Sequence, residues 1–94
     1  MSIIRFVWDP KKHAINKRKH GVPFEEAQTV FYDEYAQLID DPEHSDEEGR
    51  FIILGRSSRL RILAVCHCYY EEDEEIRIIS ARKATKHEQS FYKG

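Results

Sequence analysis

His67 stands inside a strand-like run, Ile62 to Tyr70. Imidazole titrates near ~6.5, so it can both accept and donate a proton around neutrality. On a regular strand Arg61, Leu63, Val65, His67 and Tyr69 share one face, because side chains alternate with period two. A core histidine bonded to backbone is the competing reading. Arg82 ends the last expected strand, on the face of Ile78 and Ser80, and Lys83 follows. The neighbouring hairpin adds Arg56, Arg59 and Arg61. Planar guanidinium groups grip phosphate well, although for any one of them a rim charge facing water is the commoner reading, and their convergence is what favours phosphate. His44, Asp46, Glu47, Glu48 and Arg50 cluster in a polar stretch. Glu48 fits a general base or an orienter of Arg50. The carboxylates beside His44 also suit a divalent cation, or simply face water.

One histidine, several arginines and one or two carboxylates form a set able to cut RNA without a metal. RNA carries its own nucleophile, the 2′-hydroxyl. A base removes that proton, an acid protonates the leaving 5′-oxygen, and guanidinium groups stabilise the charge that develops on phosphorus. Glycine-rich phosphate loops, serine-nucleophile motifs and HExxH are absent from the sequence. Cys66-His67-Cys68 lacks a zinc spacing, and no second ligand pair exists. Reduced thiols in a small core are expected, with no metal and no cofactor.

The net charge of −2 conceals blocks. Residues 1–20 hold six Lys/Arg against one acid, and residues 21–48 hold ten acids and no Lys or Arg. Residues 49–67 carry four Arg and no acid, residues 68–76 five acids and no base, and residues 77–94 five Lys/Arg against one Glu. Such blocks can fold into one positive and one negative face, and a positive face fits a polyanion. Lys11, Lys12, Lys19, Arg56, Arg59 and Lys83 are the phosphate-binding candidates.

At 94 residues the chain is expected to form one domain, 1–94, because a second core has no room. Eleven aromatics argue against disorder, despite 34% charged residues. No apolar run approaches the ~18–20 residues of a bilayer span, and Met1 to Asp9 lacks a signal-peptide pattern. No membrane association and a cytoplasmic location are the expectation.

Ile3 to Trp8 reads as a strand. Asp9-Pro10 offers an N-cap and a first-turn proline for a basic helix over 10–19, with Ala14 and Ile15 at helical spacing and Gly21 as its stop. Pro23 opens a second helix whose stripe is Phe24, Ala27, Val30 and Phe31. Gln37 to Asp40 is a short strand candidate. Strands follow at 50–55, 61–70 and 75–81. Thr85 and Glu88 then have the spacing of a capping box. The expected order is β-α-α-β-β-β-α: an α+β fold with an antiparallel sheet, two N-terminal helices on one face, and a short C-terminal helix. The other face is left free for a site.

Several segments carry a resemblance. They are Phe6 to Lys12, Asn16, Lys19 to Ala27, Val30 to Asp33, His44-Ser45, Glu48 with Arg50, Gly55, Val65 with His67, Ile76 to Ala84, Glu88 and Tyr92. In this order they resemble the BrnT family, over nearly the whole chain. That resemblance implies a ribonuclease toxin of a type II toxin–antitoxin pair, with a fold similar to RelE and ParE. It implies metal-independent RNA cleavage that blocks translation. It also implies neutralisation by a BrnA-type antitoxin, with operator DNA bound only through the complex, which represses its own promoter. The implied active-site candidates are His67, Arg82, Arg61 and the pair Glu48–Arg50. Two other classes stay open: a toxin-like module that only binds its antitoxin, and direct DNA binding through the basic helix.

Overall fold

The computed structural model describes residues 3–40 and 49–94. The acidic cluster His44 to Glu48 lies outside the described residues. The elements are β1 (Arg5–Val7), α1 (Pro10–His20), α2 (Phe24–Ala27), a 3-10 helix (Gln28–Tyr32), β2 (Gln37–Ile39), β3 (Arg50–Arg56), β4 (Ile62–Tyr70), β5 (Glu75–Lys83) and α3 (Lys86–Gln89).

Local chemistry explains most boundaries. The Asp9 side chain accepts from the Lys11 amide at 2.8 Å, and Pro10 occupies the first turn, where its missing N–H costs nothing. Gly21 ends α1 at φ 69°, a left-handed conformation that glycine adopts without strain. Thr85 and Glu88 form the reciprocal capping box of α3.

The five strands lie in the order β1-β5-β4-β3-β2. β2 to β5 pair antiparallel, but β1 pairs parallel with β5, Arg5 opposite Glu75 and Val7 opposite Arg77. The sheet is therefore mixed rather than wholly antiparallel, and the short strand candidate at 37–40 forms as the edge strand β2. Val22, Phe24, Ala27 and Val30 pack on Leu63, Val65, Ile78 and Ala81, forming the main core on one face. Gly55 belongs to that face, and a Cβ there would approach Val30 and Ala36 to 3.2 Å. Ile52, Ala64 and Cys66 make a smaller cluster on the second face.

α1 departs from expectation. Ala14 and Ile15 are exposed, and the buried residue of this helix is Asn16. β1 is short and pairs with β5 only as far as Arg77. Beyond it Asn16 takes the role of a strand: its Nδ2 donates to the Ala81 carbonyl at 2.8 Å, and its Oδ1 accepts from the Ala81 amide at 3.0 Å. Nδ2 also donates to the Val22 carbonyl at 3.1 Å. One side-chain amide thus satisfies both backbone groups of a sheet edge and ties down the chain after α1. So α1 lies along the β5 edge, while α2 and the 3-10 helix cover the face. Asn16→Ala orphans these buried groups and should cost about 2–3 kcal/mol. Urea unfolding should show a lower midpoint at unchanged slope.

Candidate functional site

β5 carries an irregularity that decides the geometry. Cys66 pairs with Ser80, yet His67 pairs with Ile78, so Ile79 is an extra residue. A bulge of this kind reverses the alternation of everything beyond it. Ile78 and Ala81 both enter the main core, whereas Ser80 and Arg82, opposite Cys66 and Ala64, face the other way.

The expectation that His67, Arg61 and Arg82 share one uncovered face is corrected by this register. His67 points under the helices and is 4% exposed. The Phe31 ring meets it edge-on at 4.8 Å, and its Nδ1 lies 3.1 Å from the Val65 carbonyl oxygen. Burial lowers its pKa, opposed in part by the backbone hydrogen bond. Arg61 also belongs to the helix-covered side. Its Nε donates to Glu26 at 2.9 Å, its Nη2 donates to the same carboxylate, and Nη2 reaches the Gly21 carbonyl at 3.2 Å. Ser57 Oγ donates to Glu26 at 2.6 Å. Burial works to raise the Glu26 pKa, but the hydrogen bonds from Arg61 and Ser57 outweigh it and hold the carboxyl below its ordinary value. That cluster fastens the β3–β4 hairpin to α2.

Arg82 and Arg50 lie on the second face. Arg82 holds Glu88 through a fork, Nη1 to Oε1 at 2.6 Å and Nη2 to Oε2 at 2.9 Å. Arg50 pairs with Cys68, four residues along β4 from the partner of Arg82. Two strands and four residues put their Cα atoms roughly 16 Å apart, so the two guanidiniums start from distant points. Arg56 leans over the Tyr92 ring at 5.6 Å, and Arg59 is exposed at the β3–β4 turn. Lys11, Lys12, Lys19 and Lys83 are exposed. Among the described residues, no three His, Cys, Asp or Glu side chains cluster as a metal site would need.

The Arg82 hydrogen bonds are the largest influence on Glu88, whose pKa falls to about 2 although burial opposes them. A carboxyl lowered in the folded state contributes stability that is present above its unfolded pKa and lost as pH falls through the folded one. Glu88→Gln should therefore cost about 2 kcal/mol near neutrality, with the gap closing as the pH approaches about 2. Thermal unfolding of both proteins across that range checks the sign.

One groove does gather basic groups. Lys12, Ile15, Asn16, Lys19 and His20 of α1 line it with Ile79 and Ser80 of β5, around about 210 Å³. Arg82 acts electrostatically on this wall: the His20 pKa is lowered by burial first, then by Lys19 and Arg82. Both burial and these neighbouring cations favour the neutral imidazole of His20, the form that can accept a proton. Read from the sequence alone, His20 is only a helix stop. The signal lay in the tripeptide Lys19-His20-Gly21, where the glycine turn holds the imidazole at the end of a basic helix.

A mixed sheet with a basic helix along one edge defines an α+β protein whose α1–β5 groove is lined by lysines and a histidine. The family model for "Ribonuclease toxin, BrnT, of type II toxin-antitoxin system" matches residues 8–88. The chain belongs to the BrnT family of type II toxins. It is similar to the crystal structure of the Brucella abortus ribonuclease toxin BrnT, at TM-score 0.68 and 23% identity, over 89% of this chain and 100% of that one. The likeness shows a shared fold. A search of curated proteins finds no match. Among the described residues no helix is long and apolar enough to cross a membrane.

Proposed function

We propose that this BrnT-family toxin is an endoribonuclease that works by acid–base chemistry without a metal, and that the α1–β5 groove is where RNA binds. The observation that carries this reading is the meeting of Lys12, Lys19, His20 and Ser80 in one groove. His20 accepts the proton of a ribose 2′-hydroxyl. The 2′-oxygen bonds to phosphorus, the bond to the 5′-oxygen breaks, and that oxygen leaves with a proton from a lysine ammonium of the groove. The products are a 2′,3′-cyclic phosphate and a 5′-hydroxyl. Lys12 and Lys19 stabilise the extra negative charge on the phosphoryl oxygens, while Arg82 stays forked on Glu88. His67 and Arg61 serve this reading as packing and clamping residues.

Family membership supports an antitoxin partner, and in this reading that partner is of the BrnA type and neutralises the toxin. In this reading cleavage arrests translation, and the complex with antitoxin represses its own operon on operator DNA. The layered helices and sheet support grouping the fold with RelE.

The test is cleavage of RNA by the purified protein in a chelating buffer across pH. The neutral form of His20 is the active base, and burial with the Lys19 and Arg82 charges lowers its pKa from the ordinary histidine value. The rate should therefore rise with pH and level off before an ordinary histidine would. In Lys19→Gln, which removes one of the charges lowering His20, the acid limb should move to higher pH. An acid limb that does not move, or cleavage that needs added divalent cation, overturns the reading.

A further inference from the structure

We infer that the α1–β5 groove seats one nucleobase of single-stranded RNA, its ring between Ile15 and Ile79 and its phosphate at the lysines. This deepens the ribonuclease reading and rests on it. α1 is a basic helix with a single large apolar side chain, Ile15, and that side chain is 60% exposed. The helix is docked by its neighbour Asn16, through hydrogen bonds to Val22 and Ala81. Lys12, Ile15, Asn16 and Lys19 follow at steps of three, one and three, so they form one stripe along the helix. Across the groove stands Ile79, the bulge residue, backed by Ile52, Ala64 and Cys66. A bulge re-aims a side chain, and here it gives the groove an apolar wall on the sheet side. Apolar walls with cations beside them match a nucleotide, whose base is flat and apolar in its faces and whose phosphate is anionic. About 210 Å³ suits one base. In a duplex both base faces are stacked against neighbours, so only an unpaired base can enter.

Fluorescence anisotropy would measure binding of a 2′-O-methyl hexaribonucleotide, which lacks the nucleophile, and of an abasic ribose-phosphate strand of equal length. The base-bearing strand should bind about tenfold more tightly. Ile15→Ala, at an exposed helical position that tolerates alanine, should remove most of that advantage and leave the abasic strand unaffected. Ile15→Phe should restore it. Lys12→Gln should weaken both strands alike. Equal affinity for the two strands, indifference to Ile15→Ala, or no binding at all overturns the seat. RNA cleavage by the same preparation separates the two claims. Cleavage with binding indifferent to Ile15 leaves the nuclease and removes the seat, and Ile15-dependent binding without cleavage does the reverse.

Discussion

His20→Ala is expected to lower RNA cleavage about 100- to 1,000-fold, the scale of losing a general base. It should do so with little loss of stability, because His20 is only half-buried and lies outside the hydrophobic core clusters. Circular dichroism and a melting curve beside the cleavage assay make the comparison. His67→Ala is the natural control. It opens a cavity beneath Phe31 and should lower stability by about 2 kcal/mol. At temperatures where the variant stays folded, cleavage should persist. A protein that loses cleavage at His67 while folded, and keeps it without His20, would reverse the assignment.

Arg61→Ala should give the largest loss of stability, about 3 kcal/mol or more. The Glu26 side chain is 4% exposed and Arg61 is its cationic partner. Removing the guanidinium leaves a buried carboxylate with only the Ser57 hydroxyl, and Gly21 loses a donor to its carbonyl. Glu26→Gln combined with Arg61→Met removes both charges and should recover much of the loss, since two matched apolar or neutral groups avoid an orphaned charge. Chemical denaturation of the single and double variants measures this directly. If Arg61→Ala alone is as stable as wild type, the clamp between hairpin and helix is not a structural one.

Much of the architecture could be read from short-range chemistry. Asp9-Pro10 and Gly21 bracket α1, Phe24, Ala27 and Val30 mark the buried stripe, and Thr85 with Glu88 starts α3. These signals act within one turn of chain, so the sequence displays them. The site depends on features that do not. Nothing local distinguishes Ile79 from a regular strand residue, yet its bulge sends Arg82 to the face opposite His67. Asn16 looks like an ordinary polar helix residue until the β5 edge is seen to lack a partner beyond Arg77. Strict alternation makes His67 a candidate on an open face, but the open or closed state of that face depends on where Phe31 lands. Lys12 and Lys19 stand out in the sequence as exposed cations of a basic helix, whereas the place of His20 beside them in the groove became visible only once α1 lay along β5.

Backbone amide shifts during titration with a non-cleavable 2′-O-methyl oligoribonucleotide test most directly the proposal that the α1–β5 groove binds RNA. The largest changes should fall at Lys12, Ile15, Lys19, His20, Ile79 and Ser80, the wall between α1 and β5. Changes concentrated around Phe31, Phe51 and His67, with α1 silent, would contradict it.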